Sequence, residues 1–125
     1  MLLEYRKLSD DKFPYKSRVN SEAVAKVMKY TEENYSKPIK LADMAAVAGG
    51  SEQHLCRLFK KNFSIRPMEY LNTVRISHAK ELLTYSSKTV AEIASETGFS
   101  DSSYFYVVFK KHENISPAEY RKIKA

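Results

Sequence analysis

Tryptophan is absent from this 125-residue chain, and turn-formers are scarce, with 3 Gly and 4 Pro. Sandwiches and barrels need many tight turns, so that scarcity argues against both and for helices joined by short turns. The single cysteine, Cys56, excludes an internal disulfide framework and fits a reducing compartment. No stretch approaches the roughly 18 uninterrupted apolar residues of a membrane span. The first residues, among them Glu4, Arg6 and Lys7, lack the apolar run of a secretory signal. Acidic residues are the minority, 15 against 21 Lys and Arg, and the formal net charge of +6 favours a polyanionic partner.

Catalytic constellations are missing as well. His54, His78 and His112 are scattered, and His54 and Cys56, two apart on a helix, point to different sides, so no metal site or cofactor is expected. Cys56 has no partner base, and no clustered carboxylates or phosphate loop stand out, so the chain does not read as an enzyme. Present instead are 9 Tyr and 6 Phe, large anchors for the core of one small domain or two very small ones.

The dominant feature is an internal repeat. The segment Phe59-Lys60-Lys61-Asn62-Phe63-Ser64-Ile65-Arg66-Pro67-Met68-Glu69-Tyr70 aligns with Phe109-Lys110-Lys111-His112-Glu113-Asn114-Ile115-Ser116-Pro117-Ala118-Glu119-Tyr120, identical at seven of twelve positions. Upstream, Asp43-Met44-Ala45 matches Glu92-Ile93-Ala94, each Ala followed four residues later by Gly (Gly49, Gly98). The offset grows from 49 to 50 across the turn, where Phe99-Ser100 replaces the single Gly50.

Each copy reads as two helices around a tight turn. In the first, Leu41, Met44, Ala45 and Ala48 keep helical spacing, Gly49-Gly50 ends the helix, and Ser51 caps a second helix with the stripe Leu55, Leu58, Phe59. In the second, Thr89-Val90-Ala91-Glu92 is a capping box opening a helix to about Thr97, which Gly98 stops. Ser100 or Asp101 caps the next helix, with the stripe Phe105, Val108, Phe109. Between the copies, Pro67 opens a longer helix to about Tyr85, with Tyr70, Leu71, Val74, Ala79, Leu82 and Leu83 inward. A leading helix spans about Ser21 to Tyr35 with Val24, Val27, Met28 and Tyr30 buried, and a last one runs from Pro117 to about Lys124. The domain reading is a linker or tail over 1–20, a first helix-turn-helix subdomain over 21–65, a connecting helix over 66–86, and a second subdomain over 87–125.

With the stripes turned inward, the first copy presents Glu52, Gln53, Cys56, Arg57 and Lys60. Gln53 suits adenine, Arg57 suits guanine, and Lys60 lies nearer a phosphate. The second copy presents Ser102, Ser103, Tyr106, Val107 and Lys110, a weaker set in which Val107 has only a thymine methyl to touch. Phosphate contacts are expected from Lys60, Lys61, Lys110 and Lys111, and at helix starts from Arg66, Lys88 and Thr89. Phe59, Phe99, Phe105 and Phe109 read as core, not as a stacking platform for single strands. Tyr106 fits packing against a neighbour as well as contact with DNA.

Ile93-Ala94, Gly98-Phe99-Ser100-Asp101, Tyr104-Phe105, Phe109-Lys110-Lys111 and Ser116-Pro117-Ala118-Glu119-Tyr120-Arg121 resemble the signature of AraC/XylS transcription regulators. The resemblance covers about residues 21–125. It implies an all-α domain of seven helices, two helix-turn-helix subdomains joined by a long central helix, and recognition helices entering successive major grooves. It also implies a cytoplasmic, nucleoid-associated bacterial regulator, most often an activator, contacting promoter DNA and in many cases RNA polymerase. Carried over by position, base reading falls to Gln53, Arg57, Ser102, Ser103 and Val107. Three positions depart from the pattern: Val107 stands where Arg is common, and Ser64 and Asn114 stand where a turn glycine is expected. The chain reads as either a fragment of a larger regulator, with dimerisation left to a missing N-terminal domain, or a stand-alone activator, and as a monomer by itself. The alternative reading is a helical protein-interaction module with weak, non-specific DNA binding.

Overall fold

The computed structural model describes residues 15–124, and among them are seven helices and no strand. They are α1 (Tyr15–Asn34), α2 (Leu41–Ala48), α3 (Glu52–Phe63), α4 (Pro67–Tyr85), α5 (Val90–Glu96), α6 (Ser102–Glu113) and α7 (Pro117–Lys124). The all-α expectation holds. The expected tail over 1–20 is corrected at its end: α1 starts at Tyr15, because the sequence from Tyr15 to Asn34 holds neither glycine nor proline to stop a helix. The rest of that tail lies outside the described residues.

The chain forms two compact units. The first holds α1 as far as Glu33 together with Lys40–Pro67. Its buried side chains include Val24, Val27, Met28, Thr31, Met44, Ala45, Leu55, Leu58, Phe59 and Pro67. Tyr30, expected inside, is only half-buried. Positions 24, 27, 28 and 31 share one helical face, and Thr31 takes the inward place by donating its hydroxyl to the Val27 carbonyl at 2.7 Å. Gly49, at φ 78°, ends α2 in the left-handed conformation, with its N–H and that of Gly50 both on the Ala45 carbonyl. Ser51 then accepts from the His54 N–H at 3.0 Å and starts α3. Ser64 closes α3 at φ 61°, a conformation that costs a non-glycine residue roughly 1–2 kcal/mol.

The second unit takes in Asn34–Ile39 and everything from Met68 onward. This revises two expected boundaries: the connecting helix belongs to the second unit, and so does a short segment of the presumed first one. The reason is Arg75. Its buried guanidinium donates from Nε to the Tyr35 carbonyl at 2.8 Å and from Nη2 to the Lys37 carbonyl at 2.9 Å. Burial lowers its pKa, partly opposed by Tyr104, and a charge taken out of water this way needs such acceptors. Tyr35 also stacks on His78 with ring centroids 3.9 Å apart.

The core of this unit is Ile76, Ala79, Leu83, Ile93, Ala94, Phe99, Phe105, Val108 and Phe109, with Leu82, Val90 and Tyr120 packed against it. Each fully buried Phe stabilises by about 1.5–3 kcal/mol, and Phe99, Phe105 and Phe109 form a chain of tilted rings 5.0 and 5.7 Å apart. Phe99 takes the place that Gly50 holds in the first turn, its N–H on the Ala94 carbonyl as that of Gly50 is on Ala45, and the added residue, Ser100, follows it. The predicted box at Thr89 forms in both directions, with Thr89 N–H on Glu92 at 2.8 Å and Glu92 N–H on the Thr89 hydroxyl at 3.1 Å. Asp101, of the two expected candidates, caps α6 by accepting from the Tyr104 N–H at 2.7 Å. Asn114 ends α6 at φ 66°, matching Ser64. A further box, Ser116 with Glu119, opens α7, whose Arg121 donates to the carbonyls of Leu83, in the last turn of α4, and Ser86, just past it.

Gly98 sits at φ 95°, where an added Cβ would press on the Tyr35 carbonyl and lie 2.8 Å from Arg75 Nε. Gly98→Ala is therefore expected to cost about 2–4 kcal/mol through strain and a broken buried hydrogen bond, read as a lower urea midpoint. The Glu92 and Glu119 carboxyls are held below their ordinary value of 4.5 by hydrogen bonds from Thr89 and Ser116 respectively. A carboxyl whose folded pKa is lowered adds stability above its unfolded pKa and loses it as pH falls through the folded one. The double variant Glu92→Gln/Glu119→Gln, which keeps the box oxygens, should therefore show a flatter loss of melting temperature below about pH 4.5 than the parent chain.

Candidate nucleic-acid interface

A helix that buries one stripe commits its other residues to solvent. In the first unit, α3 buries Leu55, Leu58 and Phe59 and leaves Glu52, Gln53, Arg57 and Lys60 exposed, with Cys56 half-buried beside them. The Ser51 cap fixes where the helix begins, and so sets Gln53 and Arg57 one turn apart on the same outward ridge. That pair has the side-chain geometry for bidentate hydrogen bonds to adenine and guanine edges. Lys60 and Lys61, both exposed, occupy the last turn of α3, where the helix dipole favours cations. Arg66 is exposed just before α4.

In the second unit, α6 buries Phe105, Val108 and Phe109 and exposes Ser102, Ser103, Tyr106, Val107 and Lys110. Val107 is 62% exposed and Tyr106 45%. Lys110 Nζ lies 5.9 Å from the Tyr106 ring centroid, a cation–π distance that holds the aromatic against the helix's basic end. Lys111 is exposed beside it. Tyr104, which the sequence argument does not place among the site residues, is also exposed, and its hydroxyl accepts from Asn72 at 3.3 Å. The signal for it was its place one turn before Val107.

Lys88 and Thr89 have partners within the chain. Lys88 Nζ sits 2.6 Å from Glu96 Oε2, which raises its pKa. The Thr89 hydroxyl and N–H are both engaged by Glu92. The start of α5 therefore carries two carboxylates close to the groups expected to meet a phosphate. In the first unit the corresponding Lys40 N–H bonds Asp43 at 2.8 Å. Among the described residues no group of three or more metal-ligating side chains occurs, and no helix is long and apolar enough to cross a membrane.

Two capped helix pairs, each burying its stripe and turning a polar or basic flank outward, define a tandem helix-turn-helix DNA-binding protein. Residues 44–123 match the family described as Helix-turn-helix domain. A transcriptional regulator with an AraC-type DNA-binding domain from Chromobacterium violaceum superposes with a TM-score of 0.79 at 30% identity, covering 84% of this chain and 94% of that one. The chain belongs to the AraC-type helix-turn-helix family of DNA-binding transcription regulators. The DNA-binding domain of AdpA, a global transcriptional factor solved in complex with a target DNA, superposes at TM-score 0.73 with 28% identity, over 83% of this chain and 90% of that domain. The lactose operon transcription activator of Staphylococcus xylosus is 36% identical over 101 residues, which is 81% of this chain. The chain spans only 36% of that relative's length.

If Arg57 reads a base and Lys60 a phosphate, their removal has separable effects. Arg57→Ala should cost about 1–3 kcal/mol on the preferred site and relax the preference at one position, whereas Lys60→Ala should weaken all duplexes and reduce the salt slope by about one. Fluorescence anisotropy titrations across a salt series separate the two.

Proposed function

We propose that this chain is the DNA-reading part of a bacterial transcription activator, with α3 and α6 each entering a major-groove segment of one promoter duplex. The observation that carries this is the repeated outward flank: the same five positions of two duplicated helices are left to solvent or only half-covered, while the stripe between them is buried. Base reading falls to Gln53 and Arg57 in the first unit and to Ser102, Ser103, Tyr106 and Val107 in the second. Lys60, Lys61, Arg66, Lys110 and Lys111 contact phosphates. Lys88 and Thr89 come to a phosphate only by giving up Glu96 and Glu92.

Activation is supported by the Staphylococcus xylosus relative, whose name describes it as an activator. RNA polymerase is the proposed protein partner, and the bacterial cytoplasm, at the nucleoid, the place of action. The chain binds as a monomer, since tandem readers cover two groove segments without a twin; any dimer forms through a segment N-terminal to it. A helical interaction module is the second reading, favoured by the exposed Val107. Unchanged sequence preference in Arg57→Ala would support it.

Selection from a random duplex pool should recover two short elements with centres about 10–10.5 base pairs apart, bound with an affinity that falls linearly with salt on a log–log plot. Placed upstream of a promoter, that site should raise transcript yield in a reaction with RNA polymerase and the intact regulator. Binding that ignores salt, or a best site no tighter than random DNA, would overturn the reading.

A further inference from the structure

The two reading flanks differ in kind, and the difference points to what the second one recognises. On α3 the ridge is Gln53, Cys56, Arg57, Lys60, which carries two side chains able to make paired hydrogen bonds. On α6 the same ridge is Ser103, Tyr106, Val107, Lys110. Its most exposed large apolar member is Val107, at 62%, in a unit whose other valines, Val74, Val90 and Val108, are buried or half-buried. Val107 has neither a donor nor an acceptor, and its neighbours fix what can reach it. One turn back, Tyr104 is tethered through its hydroxyl to Asn72 and through its ring to Phe99, 5.9 Å away. Alongside, Tyr106 lies under the Lys110 ammonium. One turn on, Lys110 and Lys111 supply positive charge. An exposed apolar side chain with aromatics at adjacent helical positions and cations one turn on, on the flank that corresponds to the Gln53–Arg57 ridge, fits the one apolar group displayed in the major groove, the C5-methyl of a pyrimidine.

The geometry points to α6 as a methyl reader: Val107, with Tyr106 beside it, packs on thymine 5-methyl groups in its half of the site, and Ser102 and Ser103 add hydrogen bonds to neighbouring base edges. This deepens the proposed DNA-reading function and rests on it. The second half-site is accordingly rich in thymine, and 5-methylcytosine substitutes for thymine at the contacted position better than cytosine does. A methyl buried against Val107 contributes about fourfold in affinity. The first half-site, read by hydrogen bonds, does not follow methyl content.

The test uses the full chain and the best duplex recovered by selection. The half-site whose base preferences survive Arg57→Ala is assigned to α6, and each dT there is replaced in turn by dU, which deletes one methyl and leaves every hydrogen-bonding edge intact. Anisotropy should show about a fourfold loss at the contacted dT, less than twofold for the same change in Val107→Ala, and no loss for dU changes in the other half-site. Val107 is at the surface, so its truncation leaves the core intact, and circular dichroism melting verifies this. Equal binding of dT and dU duplexes across the α6 half-site overturns the inference while leaving the DNA-reading function standing. Equal dU losses in parent and Val107→Ala overturn it too, because the methyl is then read elsewhere. A pool that yields no enriched duplex refutes the parent function, and the inference falls with it.

Discussion

The organising constraint is that one stripe of each second helix must leave water. Leu55, Leu58 and Phe59 in one unit, and Phe105, Val108 and Phe109 in the other, are the residues around which the short helices α2 and α5 are set. Eight- and seven-residue helices are marginal alone, so they exist because these stripes give them something to cover. The same constraint decides the outward residues without any reference to DNA. The flank that cannot be inside is the flank left at the surface.

A second constraint acts only in the second unit. Arg75 is a charge in a place where charge is costly, stabilised by two backbone carbonyls from 35 and 37 and by the ring of Phe99, 5.8 Å away. A segment that would otherwise be a plain connector is thereby recruited into the unit. The absence of a side chain at Gly98 belongs to the same arrangement, since that space is where the carbonyl and the guanidinium meet.

Much of this was legible in the sequence, for physical reasons. Helix starts were legible because their caps are local: Ser51, Thr89 and Asp101 bond to amides three residues on. The core stripes were legible from helical spacing. Arg75 was not, because an arginine within a helix reads as a solvated charge until its acceptors, some forty residues away in sequence, are known. Thr31 escaped for a related reason: its hydroxyl is satisfied by the turn before it, so a polar residue takes an apolar place. At the interface, the outward flanks followed from the stripes. The engagement of Lys88 by Glu96 did not, since an eight-residue separation carries no fixed helical meaning across a helix start. Thr89 reads in the sequence both as a cap and as a phosphate ligand, and in the folded chain its hydroxyl serves the cap.

The unequal turns have one more consequence. In the first unit the residue after the left-handed glycine is exposed Gly50, while in the second it is Phe99, sunk among aromatic rings. Both turns reverse the chain, but only the second is also cargo in the hydrophobic interior. A smaller residue at Phe99 would therefore empty space in the core, whereas a side chain at Gly50 would meet the ring of His54. The same place in the two turns thus answers to change differently: in the second unit through the interior, in the first through the opening turn of α3.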